Sequence, residues 1–104
     1  MISLFNYYCH ILSNKNRTLL YIGYSDNLTT RIEKHKKGVG VLFTKRYNVT
    51  ELIYFEEFIN SSLARKREKQ LKNWHKAWKW NLIRETNPNL KTLDINKTLK
   101  YIQG

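Results

Sequence analysis

Apolar and polar positions alternate in blocks along the chain, and the blocks define its elements. Residues 5–12 are rich in aromatic, β-branched and long apolar side chains, residues 13–18 are polar, and residues 19–24 are apolar again. Two short apolar runs around a polar turn predict a β-hairpin. Between residues 28 and 37 there is no Gly or Pro, Asp26 or Asn27 can accept from the free N–H groups of a first turn, and Gly38 can take the left-handed conformation that ends a helix. A helix of about ten residues follows. Leu28 and Ile32 define its buried face, and Arg31 and His35, four apart, lie one above the other along its edge, bordering the sheet. Residues 36–48 hold Gly38, Gly40 and four basic residues and read as a mobile loop. Residues 49–58 add a third strand, and Asn60, Ser61 and Ser62 offer caps for the helix after it. Three short strands with helices packed around them make a small α+β domain.

The last helical stretch has an unusual charge pattern. Residues 63–79 contain seven Lys or Arg side chains and a single acid, Glu68. On a helical wheel Leu63, Leu71, Trp74 and Trp78 form one apolar stripe, Trp80 falls off it, and Glu68 sits roughly 80° from its centre, at the border of core and surface. Trp74 and Trp78 are therefore expected in the core and Trp80 as the exposed ring; His75 is expected at the surface. A carboxylate in Glu68's position has two uses. It can pair with Lys72 one turn on, worth ~0.3 to 0.5 kcal/mol, or it can reach the sheet and hold a divalent metal. Asn87 before Pro88 reads as helix-ending punctuation.

Composition narrows the partners. The 104 residues suffice for one domain with a modest core. Nineteen Lys and Arg against eight Asp and Glu give a formal charge of +11, which points to a polyanion, nucleic acid before an anionic membrane surface. No apolar run approaches the ~20 residues of a spanning helix, and the first five residues lack the basic region and small-residue cleavage site of a secretory signal. A lone cysteine, Cys9, allows no internal disulfide; it fits a cytoplasmic protein and a place in the core of the first strand.

Candidate chemistry gathers around the second strand. Tyr21, Ile22 and Gly23 close it, Arg31 follows Gly23 by eight residues and His35 follows Arg31 by four. An aromatic hydroxyl, a position without a side chain, a guanidinium and an imidazole in one strand-turn-helix unit form a set suited to phosphate. With residues 8–14, 20–23 and 43–49, then Arg67, Glu68, Lys69, Gln70 and Leu71, and finally Asn87 and Pro88, the stretch resembles the GIY-YIG nuclease superfamily, in particular its small standalone members and the N-terminal domain of the excision-repair nuclease. The resemblance runs from about residue 5 to 90, with its parts in order. It implies a three-stranded antiparallel sheet flanked by helices, a helix break near His75 beyond which the wheel phase of Trp78 onward does not hold, a nuclease domain over 1–90 and a C-terminal extension over 91–104. Tyr21, Ile22 and Gly23 match the second triplet fully. The first triplet does not match: eleven residues before Tyr21, where the family carries a tyrosine, stands His10.

What the resemblance implies for the site can be stated by residue. Glu68 would hold one Mg²⁺ or Mn²⁺ that keeps most of its shell as water. Arg31 would bind the scissile phosphate with His35 and Lys45 as helpers, and Tyr21 would activate the water. The charge excess in 34–46 and 65–79 puts Lys45, Arg46, Arg65, Lys69 and Lys72 against nucleic acid, with Gly23 allowing close approach. An ordinary tyrosine, at pKa ~10, is only ~0.1% phenolate at pH 7 and needs nearby positive charge to act as a base. His10 has no such difficulty, since an imidazole at ~6.5 is mostly neutral there. The expected function is a metal-dependent endonuclease on nucleic acid, DNA rather than RNA, selecting structure rather than sequence because no separate targeting domain fits. The alternative, carried by His10, is a catalytically weak binding module on the same fold.

Overall fold

Hairpin pairing organises the sheet. In the computed structural model of the protein, which describes residues 6–26 and 46–93, β1 (Tyr7–Ser13) and β2 (Leu20–Ser25) are antiparallel partners. The turn between them is held by Asn14, whose side-chain oxygen accepts from the backbone N–H of Thr18 and Leu19 at 2.9 and 3.0 Å. Arg17 takes the left-handed conformation there, with φ 56°. β3 (Glu51–Phe58) pairs antiparallel with the other edge of β1, giving the order β2-β1-β3 with a register shift at Ile11 and Leu12. The three-stranded antiparallel α+β architecture is the one expected.

Strand alternation sorts the apolar residues onto two faces. On one, Cys9, Ile11, Ile22 and Ile53 pack with Leu71 and Ile83 from the helices; on the other, Tyr8, Leu12, Val49 and Leu52 pack with Leu19, Tyr21, Phe55 and Leu93. Both sides of the sheet are therefore covered.

The basic stretch is two helices. α1 (Ser61–Lys72) begins at Asn60, whose side chain accepts from the Leu63 N–H at 2.9 Å, and α2 (Lys76–Thr86) begins after a break at residues 73–75. The break corrects the single-stripe reading. Phase is lost at the break, so Trp78 is 53% exposed and Trp80 is half-buried against the core, the reverse of the expectation. Leu63, expected on the stripe, is 43% exposed; the buried positions of α1 are Ala64 and Leu71. Trp74 does pack against the core and His75 is exposed. Arg67 is turned inward, where its guanidinium meets the Glu56 carboxylate at 2.9 to 3.2 Å and lies over the Trp74 ring.

Asn87 does more than end α2. Buried, it donates to the carbonyls of Ile53 and Lys91 and accepts from the Lys91 N–H, tying the following turn to β3. The Leu93 N–H then donates to the Leu52 carbonyl at 2.8 Å. The expected helix over 28–37 lies outside the described residues, as does most of the expected loop over 36–48. The described end of that loop differs from the expectation, since Arg46 and Tyr47 are helical before Asn48 turns left-handed at φ 54°. Among the described residues no helix is long and apolar enough to cross a membrane.

Candidate active site

A cavity of about 180 Å³ opens at the β2 edge of the sheet, lined by His10, Tyr21, Gly23, Tyr24 and Glu68. Three elements build it. His10 and Gly23 are direct partners across β1 and β2, and residues so paired project to one face. Gly23 is the place of closest approach: a β-carbon there would lie 3.1 Å from the His10 Nε2 and 3.2 Å from both His10 Cε1 and Tyr21 Cε1. The absent side chain is what lets the imidazole and the phenol ring sit side by side.

His10 faces away from Cys9's packing cluster, as the alternation requires, and forms a wall of the cavity. It is nevertheless fully buried, so water in the cavity does not touch it. Tyr21 is half-buried and is the more accessible of the two. Cys9, on the opposite face, is inert: burial first, then the Glu56 and Glu68 carboxylates, push its thiol up to about 12.

α1 supplies the carboxylate. Glu68 keeps 22% of its side chain exposed and sits 3.5 Å from Lys72, so the helical ion pair and the place beside the sheet are both realised. Its rotation about the helix axis is fixed by its neighbour, because Arg67 is anchored on Glu56 and also donates to Gln70 at 2.6 Å. Glu56 in turn accepts from the Tyr54 hydroxyl, whose pKa is raised by burial and by that carboxylate.

Among the described residues no group of three His, Cys, Asp or Glu side chains is placed to chelate an ion. A lone carboxylate on a polar cavity does fit a hydrated Mg²⁺, which is commonly bound through one or two carboxylates and keeps several waters. Arg31, His35 and Lys45 lie outside the described residues. Arg46 is exposed, its guanidinium 5.7 Å from the Tyr47 ring. Arg65, Lys69 and Lys72 are exposed along α1. Tyr24 is the cavity residue the sequence reading missed; the signal was its place directly after Gly23 on a strand whose edge forms the site.

The three-stranded antiparallel sheet, its Tyr-Ile-Gly edge strand and the helices packed on it have the layout of a GIY-YIG-type catalytic domain. The chain belongs to the GIY-YIG family: residues 6–81 match the GIY-YIG catalytic domain. It is 37% identical over 87 residues to a UPF0213 protein of Pediococcus pentosaceus, covering 84% of this chain and 90% of that one. UPF0213 proteins of Staphylococcus aureus strains Mu3 and Mu50 are each 38% identical over 66 residues, covering 64% of this chain and 80% of theirs. No solved structure matches the chain.

Proposed function

We propose that the protein is a metal-dependent endonuclease that hydrolyses phosphodiester bonds, with DNA as its substrate and structure rather than sequence as its basis of choice. The observation that carries this reading is the cavity that Tyr21, Gly23 and Glu68 line together. Glu68 would hold one Mg²⁺ or Mn²⁺. When bound, such an ion supplies positive charge for the developing oxyanion and lowers the pKa of a coordinated water.

The chain's own residues then have separate tasks. Tyr21, half-buried, meets the attacking water and orients it. His10, buried against Gly23 on the same face, is the candidate base at the position where the family carries its first tyrosine. Gly23 keeps the two rings together. Arg31, assisted by His35 and Lys45, binds the scissile phosphate, a role for a planar guanidinium matched to two phosphate oxygens. Arg46, Arg65, Lys69 and Lys72 hold the flanking backbone.

The burial of His10 favours a second reading as well. If the buried imidazole does not reach the proton of the attacking water, the chain binds nucleic acid and cleaves it slowly or not at all. The two readings separate when pure protein is incubated with labelled duplex, nicked, flap and single-stranded DNA and RNA, with Mg²⁺, Mn²⁺ or EDTA. Cleavage of one structure that EDTA abolishes is the expected result; tight binding without products under every condition would establish the binding module instead.

A further inference from the structure

Tyr24 lines the cavity beside Glu68, although alternation turns it to the face opposite His10. Its ring carries the Arg65 guanidinium at 4.8 Å from the centroid, and its hydroxyl accepts from Arg65 Nη2 at 2.6 Å. Arg65 precedes Glu68 by three residues on α1, so the two project from one side of the helix. An exposed arginine loses rotamer entropy when it is fixed on binding. Here the stack and the hydrogen bond have already fixed the plane, while Nε and Nη1 keep their donors without a partner among the described residues. A planar, pre-oriented guanidinium with unused donors at a cavity mouth is matched to the oxygens of a phosphodiester.

The contact is poorly explained as a mere fastener of α1. That helix is already held by the Glu56 to Arg67 ion pair and by buried Ala64 and Leu71, whereas Arg65 is exposed. We propose that Arg65 and Tyr24 form a clamp for a backbone phosphate next to the one that is cut: Arg65 binds its oxygens, and Tyr24 is the positioning residue that holds the guanidinium in place. The role given to that phosphate rests on the nuclease reading, but the clamp itself is measurable without turnover.

The test measures affinity in EDTA for the tightest-binding member of the substrate panel, prepared as a series with one neutral methylphosphonate at successive positions. Wild type should lose ~10-fold at one position, the size of one charge-assisted contact. Arg65→Gln should bind ~10-fold more weakly throughout and lose nothing further at that position. Tyr24→Leu should reproduce Arg65→Gln, the double variant should be no weaker than Arg65→Gln alone, and Tyr24→Phe, which keeps the stack, should fall between. Additive losses, or an Arg65→Gln protein that keeps the wild-type sensitivity at that position, would overturn the clamp. If Tyr24→Leu does not fold, Arg65→Gln and Tyr24→Phe on the same series decide the matter. Failure of wild type to cleave would count against the nuclease reading alone, since every arm here is read without metal.

Discussion

Gly23 is where a single atom has the largest leverage. Adding a β-carbon would press on His10 and Tyr21 at 3.1 to 3.2 Å, and His10, being fully buried, can yield only by moving the floor of the cavity. Gly23→Ala should therefore lower cleavage by at least ~10-fold, as small displacements of positioned groups do, while affinity in EDTA stays near wild type. Equal losses of both would mean that the residue matters for folding rather than for the site. His10 gives a second prediction. With His10 as the proposed base, activity should rise as the pH is raised, and His10→Ala should cost on the order of 10² to 10⁴ in single-turnover rate. A wild-type profile without that step, together with faster cleavage by His10→Tyr, would show that position 10 is degenerate. Gly23 was placed by the match to the family's Tyr-Ile-Gly triplet, and His10 by the family's eleven-residue interval before Tyr21 and by strand alternation. Burial of His10 was not legible in the sequence, because accessibility depends on what packs over a strand and not on its own pattern. Nor was the contact of Tyr24 with Arg65, which is distant in sequence and brought near only by the docking of α1.

At the scale of elements, the three strands and the Asn60 cap could be read directly, since period-two apolar runs and a capping side chain are local signals. The helix break near His75 came from the resemblance and not from local signals. Asn73 and His75 are weak breakers, and a wheel drawn through residues 73–75 carried Trp78 into the core and Trp80 out of it. The turn of the hairpin shows a different kind of long-range tie: Arg17 donates to the Asn14 and Leu90 carbonyls and to Thr92, and pairs with Glu51 at 3.0 Å. Thr92 also donates to Glu51. The Thr92 hydrogen bond foremost, against some desolvation and with help from Arg17, holds the Glu51 carboxyl below the usual carboxylate range. A folded pKa below the unfolded one stabilises the fold above the unfolded value, ~4.3, and the contribution disappears as pH falls through the lower folded value. Glu51→Gln should thus melt below wild type at pH 7, and the gap should close as the pH falls through the lowered folded value. A gap independent of pH would mean that the charge of Glu51 has no part in it.

For the whole molecule, fold class followed from the sequence because three strands and a basic helical stretch leave few ways to cover a small sheet. Function depends on charge as well as on the cavity. Arg65, Lys66, Lys69, Lys72 and Lys76 are exposed along α1 and α2, within a chain of net charge +11. If 6 to 10 phosphates are neutralised, affinity should fall by ~10³ to 10⁵ between 50 and 200 mM salt; a flat titration would mean that these charges only solvate the surface. The metal claim needs a different test. Glu68 is the only acid among residues 63–79, its pair with Lys72 is of the partly exposed kind that contributes ~0 to 1 kcal/mol, and so Glu68→Gln should fold. The decisive measurement is single-turnover cleavage by wild type and Glu68→Gln across a Mg²⁺ titration, with affinity followed in parallel in EDTA. The account predicts that Glu68→Gln folds, binds nucleic acid as tightly as wild type or slightly more tightly, and makes no product at any Mg²⁺ concentration; cleavage by Glu68→Gln at the wild-type rate would contradict it.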